Sequence, residues 1–213
     1  ANLAPVALPG KPRVFLIDQP GAVQANIVAA QLLPSSKDPG AVDVEFANSI
    51  IGGDFTARLN MNLREDKHWS YGARSSMFGA LGQRIWMASA PVQIDKTIES
   101  IQEMRKEIGG FADGSRPVTA EEVARLQAIN IRTLPGSYET AGAVMNTIAS
   151  NNRYGRPDDF VAWRKNRIEQ MQPAGVQQVA TANFHPQALT WIIVGDRSKI
   201  EDGIRKLDLG EVT

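Results

Sequence analysis

The order of its apolar segments constrains the fold of this chain more than any other feature. Arg13-Val14-Phe15-Leu16-Ile17-Asp18 and a second branched run over residues 23–33 read as strands, with Gln19-Pro20-Gly21 turning between them. Residues 41–51 carry Val42, Phe46 and Ile50 at helical spacing, and Gly52-Gly53 reads as the C-cap that stops that helix. Asp54 is the candidate N-cap of a second helix, with Phe55, Leu59 and Leu63 as its apolar stripe. Tyr71 to Val92 reads as a strand pair turned by Gly79-Ala80-Leu81-Gly82.

A long helical block follows. Ile94, Ile98, Ile101, Met104 and Ile108 form one face, ended by Gly109-Gly110. Thr119 and Glu122 have the spacing of a capping box, opening a helix with Val123, Leu126 and Ile129 on its apolar side. Ser137 can cap another through Tyr138, Ala141, Met145 and Ile148, and Pro157-Asp158-Asp159 begins a further one. A short helix over 175–183 precedes the strand Leu189–Val194, which ends at Gly195-Asp196, and a last helix runs to about Lys206.

Strands and helices alternate too unevenly for a doubly wound parallel sheet. The expected fold class is α+β: a two-layer sandwich in which a mostly antiparallel sheet carries its helices on one face. With 213 residues, the chain has the size of one large domain, expected over 13–213. Pro5, Pro9 and Pro12 make residues 1–12 read as an extended linker, and the whole as a piece of a longer protein.

Composition removes several functions. There are 23 Lys+Arg against 23 Asp+Glu, a formal net charge of zero, and no basic block, so nucleic acid is a poor partner. No cysteine is present, which excludes disulfides, a thiolate zinc site and a cysteine nucleophile. No uncharged apolar run is long enough to span a bilayer. His68 and His185 are the two histidines, and neither has a second histidine four residues away to make a paired zinc site on a helix. His68 reads as a solvated helix-end residue and His185, before Pro186, as a helix-ending one. A Ser-His-Asp set drawn through His185 and Asp196 has no serine that the sequence selects. Gly52-Gly53 lacks the lysine of a phosphate loop, and Gly79 with Gly82 reads as a hairpin turn. Trp69, Trp86, Trp163 and Trp191 are scattered, as core or rim residues are.

One segment carries more. Gly52-Gly53-Asp54-Phe55-Thr56-Ala57-Arg58-Leu59, then Leu63-Arg64, then Tyr71 seven residues after that arginine, resembles the second, metal-free domain of the insulinase/pitrilysin family of zinc peptidases. Val194-Gly195-Asp196 resembles the closing strand motif of that family, and the order of elements agrees over about residues 12–206. The family usually has a glycine where this chain has His68 or Trp69. The resemblance implies a domain without metal or other cofactor that closes over peptide substrate beside a zinc-bearing homologous domain or subunit, where the zinc resides. Carried over, Arg64 and Tyr71 are its catalytic and substrate-binding residues. Taken without the resemblance, Arg64 reads as paired with a surface acid and Tyr71 as packed on the sheet. Two rivals on the same fold are a structural core subunit, as in respiratory complexes, and a peptide-binding module without catalysis. Secreted bacterial relatives make the periplasm the preferred compartment.

Overall fold

Period-two burial builds the sheet. The computed structural model describes residues 3–213, and residues 1 and 2 of the expected linker lie outside them. Residues 3–12 carry neither helix nor strand, and Gln83 holds Val6 by both backbone groups, at 2.6 and 2.9 Å. The strands are β1 (Arg13–Asp18), β2 (Gln24–Leu33), β3 (Arg74–Met77), β4 (Arg84–Gln93), β5 (Thr190–Gly195) and β6 (Glu211–Val212), in spatial order β3-β4-β2-β5-β1-β6. Pairing is antiparallel from β3 through β5 and parallel from β5 through β1 to β6, so the sheet is mixed with an antiparallel majority. The short β6, which no periodicity announces, pairs with β1 by only Arg13↔Glu211 and Val14↔Val212.

Register sorts the two faces. Val14, Trp191, Ala29, Ala88 and Ser75 lie in one row and are all buried. The next row outward, Phe15, Ile192, Val28, Ser89 and Arg74, faces away from the helices, and there Phe15 is exposed. The helices are α1 (Ala41–Asn48), α2 (Arg58–Asn60), α3 (Thr97–Asp113), α4 (Ala120–Thr133), α5 (Ala141–Tyr154), α6 (Phe160–Glu169), α7 (Pro173–Asn183) and α8 (Arg197–Lys206). The core between the layers centres on Trp86, Phe184 and Phe111, whose rings meet edge to face at 5.4 and 5.5 Å.

Several local expectations shift. Helix α1 continues as a π-turn over Ser49–Gly53, so Gly52 and Gly53 belong to the helix. Neither has positive φ; a Cβ on Gly52 would lie 2.5 Å from the Ser75 backbone nitrogen, so close approach and not a left-handed cap requires the glycine. Asp54 does not cap the next helix. Its Oδ1 accepts from Thr56 N and Oγ1 at 3.0 and 2.7 Å, an Asx turn that delays helix α2 to Arg58. Phe55 therefore leaves the stripe and stands exposed, while Leu59 and Leu63 are fully buried, about 2 kcal/mol each. Helix α2 likewise continues as a π-turn, Met61–Asp66. Gly109-Gly110 does not end α3, which runs to Asp113 and stops at Gly114 in the left-handed region, φ 77°. Thr140, not Ser137, caps α5, accepting from Ala143 N. Its expected apolar face is open, with Met145 and Ile148 exposed. The Thr119–Glu122 capping box is present in both directions.

Candidate functional site

An open cleft of about 490 Å³ lies where the first π-turn, the start of α2 and the approach to β3 converge. Gly52, Gly53, Asp54 and Phe55 form one wall, Tyr71, Gly72, Ala73 and Arg74 the other, with Arg64 and Pro91 between. The structure thus brings Arg64 and Tyr71 to the same depression. Arg64 is 40% exposed in its side chain, pairs with Glu65 at 3.3 Å and stacks its guanidinium over the Phe55 ring at 5.0 Å. Tyr71 is 85% exposed and is not packed on the sheet; among the described residues its hydroxyl has no hydrogen-bond partner. It precedes the strand it was expected to begin, in the bend between the Ser70 bridge and Arg74.

Three short polar side chains hold these walls. Asn60 donates from Nδ2 to the Phe55 carbonyl at 2.7 Å and accepts at Oδ1 from Ala73 N at 3.1 Å, tying one wall to the other. Ser70 Oγ donates to the Pro91 carbonyl at 2.6 Å and accepts from Gly72 N at 3.1 Å, fixing the bend that carries Tyr71. Asn48 Oδ1 accepts from Ser75 Oγ at 2.6 Å and Trp86 Nε1 at 2.7 Å, joining α1 to β3 and β4 beneath the floor. All three are buried, where each satisfied bond is worth about 1 kcal/mol and each broken one costs more. Their partners are distant in sequence, so no local pattern announces them.

His68 makes the corner between the π-turn and Trp69. Its φ is 58°, the left-handed region where the resemblance places a glycine, and its Nδ1 lies 3.0 Å from the Arg64 carbonyl. It does not approach a second ligand: among the described residues no group of His, Asp or Glu side chains lies close enough to hold a metal ion. His185 precedes a 3₁₀ turn at Pro186 and donates its backbone N–H to Gln31 at 2.9 Å. Asp196 is the N-cap of α8; it accepts from the Ser198 backbone and hydroxyl and from Gly21 N. The Ser198 hydroxyl bond leads in holding its carboxyl below the ordinary range. That is a structural role for the closing motif.

Arg58, quoted in the sequence as part of the motif, is not in the cleft. It donates to both carboxylate oxygens of Glu122 at 2.7 and 2.8 Å and to the carbonyls of Arg116 and Pro117 at 2.6 and 2.8 Å. Its guanidinium also lies over the Phe111 ring at 5.4 Å. It locks α2 to α4 and to the loop before it.

Chemically the cleft offers hydrogen-bond donors, two guanidiniums and a phenol, beside aromatic surface and exposed backbone. It has no nucleophile paired with a base. The profile of the peptidase M16 inactive domain matches residues 3–130. No curated protein sequence matches. Among solved structures the chain is similar to the peptidase M16 inactive domain from Pseudomonas fluorescens, with TM-score 0.76 and 19% identity over 91% of this chain and 46% of that one. It is similar to a putative zinc protease from Bordetella pertussis Tohama I, with TM-score 0.68 and 18% identity over 80% and 93% of the two chains. It is also similar to a chain of complex III2 from Candida albicans, with TM-score 0.71 and 15% identity over 94% and 49%. At these identities the likeness is one of fold. The chain spans less than half the length of the Pseudomonas and Candida chains.

Proposed function

The chain belongs to the peptidase M16 family as its inactive domain, and on that basis we propose that it completes the active site of a zinc peptidase whose metal lies on a partner domain or subunit. The observation that carries this reading is the shared cleft: Arg64 and Tyr71 line it together, and the Tyr71 hydroxyl is unpartnered among the described residues. A zinc ion on the partner would supply polarisation of the scissile carbonyl and activation of water. This chain supplies donors. As a carbonyl oxygen gains negative charge, the Tyr71 hydroxyl donates to it in a closed cleft, a contribution of about 3 kcal/mol. Arg64, steadied by Phe55 and Glu65, offers fixed N–H groups to the carbonyls of an extended peptide.

The test is peptide cleavage by the assembled zinc-bearing protein. Tyr71→Phe is expected to lower kcat about 100-fold, and Arg64→Ala to lower kcat/KM about 10-fold. Turnover unchanged in both variants would reject a catalytic role and leave a structural or peptide-binding one.

A further inference from the structure

We propose that Arg74 makes this cleft selective for peptides carrying an acidic side chain within about three residues of the bond that is cut, an inference that rests on the cleft being the substrate site. Three observations point to it. First, the cleft is lined by two guanidiniums, Arg64 and Arg74, against one carboxylate, Asp54. Second, the other charges are already answered. Arg64 has Glu65 at 3.3 Å, and Asp54 Oδ1 is held by the Thr56 backbone and hydroxyl. Arg74 is exposed and has neither hydrogen bond nor ion pair among the described residues. Third, nothing nearby can turn to neutralise it. Across the sheet its row runs through Ser89, Val28, Ile192 and Phe15, without an acid, and the neighbouring wall residue is Pro91.

Position gives the selectivity its register. Arg74 is the first residue of the edge strand β3 and follows Tyr71 by three residues, at most about 10 Å of chain. An extended peptide advances about 3.3 Å per residue, so a side chain reaching Arg74 belongs to a residue no more than about three from the carbonyl at Tyr71. The planar guanidinium matches a carboxylate with two parallel hydrogen bonds. Closing the cleft removes water and strengthens that contact relative to an amide of the same shape.

The experiment uses the assembled zinc-bearing protein and pairs of peptides with acetylated N-termini and amidated C-termini, identical except for Glu or Gln at one position. That position is moved from three residues before the scissile bond to three after it. Wild type is expected to prefer Glu about 10-fold in kcat/KM at one position. Arg74→Gln should bring the ratio to near one, and Arg74→Lys should retain part of it with stronger dependence on salt. A wild-type ratio near one at every position, or a ratio untouched by Arg74→Gln, overturns the proposal. Tyr71→Phe separates the two readings: it should slow both peptides equally and leave the ratio intact. If Tyr71→Phe leaves turnover unchanged, the catalytic reading of the cleft fails, whatever the ratio shows.

Discussion

Replacing Arg58 by methionine tests how the cleft is supported. The substitution keeps an apolar stem over Phe111 and removes four donated hydrogen bonds, two to Glu122 and one each to the Arg116 and Pro117 carbonyls. The paired side chains are only 12% and 14% exposed, so Glu122 is left charged in a poorly solvated place with only Thr119 as donor. Breaking a buried pair in this way costs about 3–5 kcal/mol, and the residual exposure puts this case at the lower end, about 3 kcal/mol. For a chain of this size that is a fall in Tm of about 6–12 °C. Acidity gives a second readout. Burial by itself would raise the Glu122 carboxyl; the Arg58 guanidinium, with the Thr119 backbone, more than offsets it and holds the group below its ordinary 4.5. A carboxyl lowered on folding contributes stability in full above its unfolded value and loses it as pH falls through the folded one. In Arg58→Met burial acts unopposed, and protonation relieves the stranded charge. The Tm gap between wild type and variant should therefore be widest above about pH 5 and narrow on acidification. Thermal unfolding followed by circular dichroism from pH 7 to pH 3 measures both. A gap below about 2 °C at pH 7, or one that is constant with pH, refutes the reasoning.

Gly52→Ala should cost about 1–3 kcal/mol in urea unfolding, because its Cβ would sit 2.5 Å from the Ser75 nitrogen and part α1 from β3; an unchanged midpoint would show that the close approach is not required. His68→Gly should fall within about 0.5 kcal/mol of wild type, since relief of left-handed strain offsets glycine's extra chain entropy, whereas His68→Val should lose about 1–2 kcal/mol. Equal midpoints for the two variants would contradict the φ of 58°. Glu201, held by Arg197 and Arg205 on α8, should titrate at about 2 in a carboxyl NMR titration; a midpoint near 4.5 would show that those contacts do not persist in solution.

What could be read from the sequence follows a simple division. The Thr119–Glu122 box was legible because its two hydrogen bonds lie within four residues. Arg64 and Tyr71 were legible as a pair through the motif, and the strand order through runs such as Leu189–Val194. Phe55 was misassigned to the helix because Asp54 uses its side chain on Thr56, and Asn60 draws the Phe55 carbonyl aside. Gly109-Gly110 looked like a stop, yet a Cβ on Gly110 would lie 2.7 Å from the Arg116 side chain, so its glycine serves a packing contact inside α3. Strand β6 and the supports of the cleft depend on partners far along the chain. Ser70 with Pro91 and Asn60 with Ala73 are visible only once the walls have met.

The two π-turns give the cleft an unusual kind of dependence on residue count. A π-turn holds one residue more than an α-turn. Excising a single residue from Ser49–Gly53 or Met61–Asp66 would let the segment relax to an ordinary α-helix with its ladder intact. Everything after the deletion would then be rotated by about 100°. Phe55 would swing off one rim, or Tyr71 off the other, with every side chain of the motif still present. In this stretch, spacing between letters matters as much as the letters, and a shuffled or trimmed variant that keeps the motif will still lose the shape that gives the motif its use.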